Sequence, residues 1–342
     1  MLCVIPALRS LRAAHPQARI TLLGLPSAGW LLERFPYLID ELLPFPGYPG
    51  IPEAPLEPLR LASFISEHSG HFDLVLQMHG SGHSSNPFAA LLNAPQTAGF
   101  HLPGAWTLAA DSFFPYPAHE QEVRRWTTLM AHLGYPDEGD QLEFPVTEAE
   151  TRTASQLAGD HPYVCLHPGA SEESRRWPAQ KFAQVGDLLA ERGFRVFITG
   201  SPAERELAAA TAGMMNSPAT NLAGETELGV LAALLQGASL LVSNDTGVSH
   251  LAAAVKAPSV VIFMASDPLR WAPLNEELHR AVGSVHPVHR NACVHTPELT
   301  GHRCLMDGCR SLRVSDGEEW RPPEVGEVAG AALELLGRRQ AS

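Results

Sequence analysis

The sequence predicts an α/β protein made of two similar halves, each a doubly wound parallel sheet. Three observations carry this. Short apolar runs alternate with stretches whose apolar residues recur at helical spacing, joined by few residues. Strand candidates such as "SLLVSND" and "SVVIFMA" are continuously apolar rather than alternating, as in strands covered on both faces. The 342 residues, 45% of them hydrophobic, accommodate about two domains of roughly 150 residues.

Taken in order, "MLCVIPALRSLRAA" predicts a helix over residues 6–14. Pro6 suits a first turn, where its missing N–H would go unpaired anyway. Leu8, Leu11 and the alanines share a face, and Arg9 and Arg12 are expected to turn to water. "ARITLLGL" follows as a buried strand. Further strands are expected at "ELLPF", "FDLVLQMHG" and "TAGFHLP", and helices over 28–34, 59–68, 87–92 and 120–133. "FPGYPGIPEAPLEP" is too rich in proline for either and reads as a surface loop. "FPVTEAETRTASQLAGD" is expected to join the halves, with the boundary at 155/156.

The second half reads more regularly. "YVCLHPGA" is a short buried strand ending in a loop. "AQKFAQVGDLLAER" is a helix with Phe182, Val185, Leu188 and Leu189 at helical spacing, stopped by Gly193. "FRVFITGS", "TNLAG", "SLLVSND" and "SVVIFMA" are strands, interleaved with helices at "AERELAAATAGMM", "ELGVLAALLQGA" and "GVSHLAAAVKA". Pro322 and Pro323 introduce a last amphipathic helix within 321–342.

Composition excludes several classes. A net charge of −13 argues against a general nucleic-acid surface, which needs a basic stripe. Local basic spots remain at Arg124-Arg125 and Arg175-Arg176. No apolar run reaches the roughly 18 residues of a membrane span. The first residues lack the pattern of a signal peptide, so a cytoplasmic location is expected. Five cysteines, an odd number, argue against a disulfide framework. Cys293, Cys304 and Cys309 lie among histidines but match no paired zinc pattern. "MHGSGHS" resembles an oxyanion loop, yet no Gly-x-Ser-x-Gly elbow accompanies it.

Ligands of doubly wound sheets sit beyond the carboxyl ends of the strands, so the strand-to-helix loops are the places to look. In "VSNDTGVSHLAAAV" a strand runs out at Asn244 and Asp245, Thr246 and Gly247 turn the chain, and a helix starts at once. Gly247 is read as permitting a tight turn and a close backbone approach. The N–H groups of Thr246, Gly247 and Val248, with the positive end of the helix dipole, suit a diphosphate. His250 lies on the same face, one turn deeper. Asp245 would repel a phosphate and fits better on sugar hydroxyls or the loop backbone. The plainer alternative makes Asp245 an N-cap and His250 a core histidine.

In "LHPGASEESRRWPAQKF", Gly169 ends a strand and Ser171 and Arg175 precede a helix that begins at Pro178. Arginine can meet a phosphate through paired N–H donors; alternatively the Arg-Arg pair is a solvated cap. In "FITGSPAEREL", Gly200 ends a strand and Glu204 sits in the next first turn. Glu204 can accept hydrogen bonds from ribose hydroxyls or simply favour the helix dipole.

These three loops, in this order, resemble the family 9 glycosyltransferases, the bacterial heptosyltransferases of lipopolysaccharide core assembly. The stretches are "HPGAS…RRWPAQKFA", "VFITGSPAERELA", "LAGETELGVLAALLQGASLLVSNDTGVSHLAAAVKAPSVVIF", "DPLRWAP", "GHRCL" and "PALRSLRAAHPQARITLL". The resemblance implies a GT-B fold, two Rossmann-like domains with parallel sheets facing across a cleft. It implies an acceptor-side domain over 1–155, a donor-binding domain over 156–320 and a C-terminal helix over 321–342. The donor is an ADP-heptose-like nucleotide sugar and the acceptor a glycan or glycolipid. Transfer is inverting, without cofactor or metal, by a monomer in peripheral contact with the inner membrane. Donor-binding roles carry over to Gly169, Ser171, Arg175, Gly200, Glu204, Asp245, Thr246, Gly247, Val248 and His250.

Two departures accompany the resemblance. Relatives usually have Gly where this chain has Met264. In relatives the stretch matching "MLCVIPALRSL" is also preceded by a strand and a Gly-Asp pair whose Asp is the general base. That position would fall immediately before Met1, so the expected first strand and base are absent from this sequence. Either the natural protein carries them upstream, or the chain is a nucleotide-sugar-binding pseudoenzyme, or another carboxylate such as Asp73 substitutes. Asp73 lies at a strand start, the wrong end. A sugar-nucleotide epimerase of the same architecture is a further alternative.

Overall fold

The structure is a computed structural model that describes residues 1–108, 111–118, 120–283 and 321–340. The chain divides into two compact units, Cys3–Gln141 and the described residues from Leu142 onward. This division precedes the expected 155/156 boundary. The reason is the segment read as a linker: it forms a helix whose Thr147 side chain accepts from the Glu150 N–H while Glu150 returns to the Thr147 N–H. That helix packs on another of the second unit.

In the first unit, α1 (Ile5–Ala14) leads to β1 (Thr21–Gly24), then α2 (Gly29–Arg34) and β2 (Glu41–Pro44). After α3 (Pro58–His68) come β3 (Leu74–Leu76), α4 (Ser85–Leu91), β4 (Gln96–His101), β5 (Phe113–Pro115) and α5 (Glu122–His132). All pairs are parallel, in two sheets: β1 with β2, and β3-β4-β5. The short strand β5 was not expected from the sequence.

Three expectations need correction here. Arg12 is not turned to water: it is half-buried, ion-paired to Asp40 at 2.6 Å and bonded to the carbonyl of Leu38. The Ile20 N–H and this guanidinium hold the Asp40 carboxyl below the usual carboxylate range. Arg125 is no basic spot either. It is fully buried, 2.6 Å from Glu122 and over the Tyr116 ring at 4.5 Å. The proline-rich loop is also more than a surface feature, because Phe45 and Tyr48 pack edge-on against Phe88 and Ile51 is buried.

In the second unit, α6 (Glu148–Ala158) precedes β6 (Tyr163–His167), α7 (Ala179–Ala190), β7 (Arg195–Ile198), α8 (Arg205–Gly213) and β8 (Ala219–Asn221). Next are α9 (Leu228–Gly237), β9 (Leu240–Asn244), α10 (Gly247–Ala254), β10 (Ser259–Phe263), α11 (Pro268–Trp271) and β11 (His279–Gly283). The last described helix, α12, is Val325–Gln340. Six parallel strands run in the order β11-β10-β9-β6-β7-β8. β6, β9 and β10 are buried at every residue, as strands covered on both faces must be.

One core cluster joins Val164 and Leu166 of β6, Phe182, Val185 and Leu189 of α7, and Val328, Ala332, Leu335 and Leu336 of α12. α12 is also tied by polar bonds. The carbonyl of Pro323 accepts from Trp177 Nε1 at 2.8 Å and from Lys181 Nζ at 3.1 Å. The order of strands reverses between β6 and β9, which places the topological switch point at their carboxyl ends. The stretch that holds Cys293, Cys304 and Cys309 lies outside the described residues.

Candidate functional site

β6 and β9 deliver two loops to the switch point, and one buried side chain binds both. Asn244, the last residue of β9, is fully buried. Its Oδ1 accepts from the Trp177 N–H at 2.9 Å, and its Nδ2 donates to the carbonyls of Pro168 at 2.8 Å and Gly169 at 3.3 Å. A buried amide with all these bonds made is rigid. Asn244 therefore fixes both ends of the 168–177 loop against the start of the next one. The sequence reading passed over it; the signal was a lone amide ending an apolar strand.

The β9–α10 loop ends β9 and opens directly into α10. Among the described residues, the N–H groups of Thr246, Gly247 and Val248 have no acceptor, and the Thr246 side chain does not cap the helix. Gly247 is exposed, so the helix start opens to solvent rather than into the core. The reason given for Gly247 needs changing. Its φ is not positive, and a Cβ there would meet no heavy atom within 4 Å. The turn itself does not demand glycine; the missing side chain leaves room in front of the amides.

Asp245 is buried, and its Oδ2 accepts a hydrogen bond from Ser266 Oγ. Burial pushes its carboxyl above the usual carboxylate range, while Ser266 and the charge of Arg175 pull the other way. It is not the side-chain cap of α10. Arg175 sits in a single 3-10 turn, half-exposed and 3.3 Å from Glu172, and the neighbouring Arg176 donates to the Ala170 carbonyl at 2.9 Å. Ser171 is exposed.

His250 is buried, and its Nδ1 has no partner. Burial lowers it to about 4, so at neutral pH it is an uncharged ring that can accept or donate but brings no charge to an anion. His250 is thus buried as the plainer alternative had it, but with Nδ1 unpartnered.

The third loop brings Gly169, Gly200 and Glu204 together. A Cβ on Gly169 would lie 2.0 Å from Glu204 Oε1, and one on Gly200 3.2 Å from Glu204 Cβ. Glu204 Oε2 accepts from the Ser201 N–H at 2.7 Å and Ser201 Oγ at 2.8 Å, and lies 4.0 Å from His167 Nε2. Burial raises the carboxyl, but Ser201, His167 and Arg176 outweigh it and the net shift is downward. Glu204 is thus an ionised helix cap whose second oxygen lies against Gly169. His167, buried and lowered by burial, is held through Nδ1 to Thr199 Oγ1 at 3.0 Å.

Comparison with known proteins places this geometry in context. Residues 64–300 match the family described as Glycosyltransferase family 9 (heptosyltransferase). Lipopolysaccharide heptosyltransferase 2 of Salmonella typhimurium is 28% identical over 301 residues, 82% of this chain and 85% of that protein. Lipopolysaccharide heptosyltransferase 3 of Escherichia coli is 37% identical over 122 residues, and the match spans only 35% of either length. Two solved structures share the fold. The family 9 glycosyl transferase of Veillonella parvula has a TM-score of 0.69 at 20% identity, covering 98% of this chain and 93% of that one. The ADP-heptose heptosyltransferase II of E. coli has a TM-score of 0.66 at 22% identity, covering 99% and 96%.

Proposed function

From the premise that this chain belongs to glycosyltransferase family 9 and has the GT-B fold, we propose that it moves a heptose-type sugar from a nucleoside-diphosphate donor to a lipopolysaccharide-core acceptor. The observation that carries the donor assignment is the row of acceptor-less amides at Thr246, Gly247 and Val248 beside Arg175. Relatives bearing the heptosyltransferase name and a neighbour solved with ADP-2-deoxy-2-fluoro heptose support the choice of sugar and nucleotide.

In this reading the second unit holds the donor and the first the acceptor. Amides fixed before the reaction stabilise charge without reorganising, and the guanidinium of Arg175 meets the departing diphosphate through paired donors. Their charge fills the role a metal ion would otherwise have. Asp245, kept from the phosphates by its bond to Ser266, faces sugar hydroxyls, and neutral His250 lies one turn deeper behind the amides. Direct displacement at the anomeric carbon inverts it once. The acceptor hydroxyl needs a base, and no described residue is assigned that role. Among the described residues no helix is long and apolar enough to cross a membrane; the reading has a cytoplasmic monomer meeting a lipid-linked acceptor at the inner membrane surface.

The test is titration of the chain with ADP and with ADP-heptose, followed by a transfer assay on a heptose-deficient core acceptor. Micromolar binding and an α-linked product from a β-linked donor are expected. Binding of neither nucleotide overturns the donor site. Binding without transfer leaves a nucleotide-sugar-binding pseudoenzyme, and an isomerised donor an epimerase.

A further inference from the structure

The strand order of the second unit fixes the path of any nucleotide held at its carboxyl edge. β6 lies between β9 and β7. The open amides of 246–248 follow β9, and Glu204 lies in the turn after β7. A ligand with its phosphates on those amides and its ribose on Glu204 therefore crosses the end of β6. The residue there is His167, the last of that strand, and the donor assignment leaves it unused.

His167 has one nitrogen for the core and one for the cleft. Nδ1 is taken by Thr199 Oγ1 at 3.0 Å. Nε2 makes no hydrogen bond among the described residues and stands 4.0 Å from Glu204 Oε2. Burial keeps the ring uncharged, and the nearby carboxylate selects its tautomer. The single ring proton sits on Nε2, toward the anion, and Nδ1 accepts from Thr199. The 4.0 Å gap is too long for a direct bond, but one oxygen about 2.8 Å from each side spans it. A hydroxyl suits that place because it accepts and donates at once. The carboxylate has room for it. Oε2 is held by the N–H and Oγ of Ser201, while Oε1 accepts from no described donor and stands over Gly169. Both side chains keep an opening to solvent, 9% of the His167 surface and 17% of that of Glu204.

We propose that His167 is a second ribose-binding residue of the donor site. Its Nε2–H donates to a ribose hydroxyl that in turn donates to Glu204, so the pair selects ribose over deoxyribose. The inference rests on the donor reading above and adds to it one residue and one selectivity. The plainer role for His167 is to tie β6 to Thr199 inside the core. That role needs Nδ1 alone and is indifferent to the sugar of the ligand.

Calorimetry with inorganic diphosphate, ADP, 2′-deoxy-ADP and 3′-deoxy-ADP tests the proposal on the full chain and two variants. His167→Asn keeps an acceptor for Thr199 and removes the group at the ε position. His167→Gln returns an amide N–H to that position. The unchanged chain should bind ADP roughly 10- to 100-fold more tightly than the deoxy nucleotide lacking the bridging hydroxyl. His167→Asn should lose that preference and keep its affinity for inorganic diphosphate, and His167→Gln should recover part of the preference. A second readout needs no variant to fold. In long-range proton–nitrogen spectra of the histidine rings, Nε2 of His167 should shift with ADP and not with that deoxy nucleotide. Equal binding of ADP and both deoxy nucleotides, full preference in His167→Asn, or an unmoved Nε2 signal overturns the role of His167 and leaves the donor site standing. Failure of ADP and inorganic diphosphate to bind the unchanged chain overturns the donor reading, and this inference with it.

Discussion

On the proposed donor reading, Gly247 separates folding from binding at a single position. With no positive φ and open space at its Cβ position, Gly247→Ala should change stability by no more than about 0.5 kcal/mol. The added methyl stands in front of the free amides, so ADP affinity by calorimetry should fall at least tenfold. Gly169→Ala is the contrasting case: its Cβ would run into the Glu204 carboxylate, and both thermal stability and nucleotide binding should suffer. Arg175→Ala should weaken ADP by roughly 10- to 100-fold, the 1.5–3 kcal/mol of a charge-assisted contact, without lowering the melting temperature. Among the candidate residues, Gly169, Gly200, Asp245 and Thr246 stood out in the sequence because each lies within two residues of the end of a strand. Asn244 and Ser266 did not, since their parts depend on partners 67 and 21 residues away in sequence.

At the level of elements, periodicity located most helices and strands to within a few residues. It failed where tertiary context decided the outcome. Residues 148–158 are polar enough to read as a linker, yet Ala154 and Ala158 give α6 a narrow buried edge that settles on α9. β5, only three residues long, is too short to show a period and β11 is partly polar; both are edge strands that only their neighbours' hydrogen bonds define. α5 shows how a charged helix can be a core helix. Arg125, Glu122 and Trp126 form one buried group, with Trp126 Nε1 donating to Glu122 Oε1 at 3.2 Å. Arg125→Met should destabilise the first unit by about 3–5 kcal/mol, because Glu122 keeps a buried charge without its partner. Removing both charges together, Arg125→Met with Glu122→Gln, should recover much of that loss in urea unfolding.

For the molecule as a whole, the buried histidines set a limit toward acid. His250 and His279 are both lowered to about 4, chiefly by burial. A histidine lowered on folding contributes stability above its unfolded value near 6.5, and the contribution disappears as pH falls toward 4. Each such shift corresponds to about 3 kcal/mol. Asp245, raised by burial, acts in the opposite sense, because its contribution is lost as pH rises. His167 is lowered by burial as well, and the three histidines outweigh Asp245, so urea midpoints of the second unit should fall as pH drops from about 6.5 to about 4.5. His279→Gln should flatten that slope.

The bond from Trp177 to Pro323 has a consequence for biosynthesis. The backbone N–H of Trp177 is held by Asn244, and its indole by a carbonyl that the ribosome adds 146 residues later. A nascent second unit can pair its strands as they emerge, but the 168–177 loop, to which the proposed function assigns the donor phosphates, stays loose until α12 is made and docks. Nucleotide added to translation complexes stalled before codon 321 should therefore find no competent pocket, although most of the sheet around it already exists.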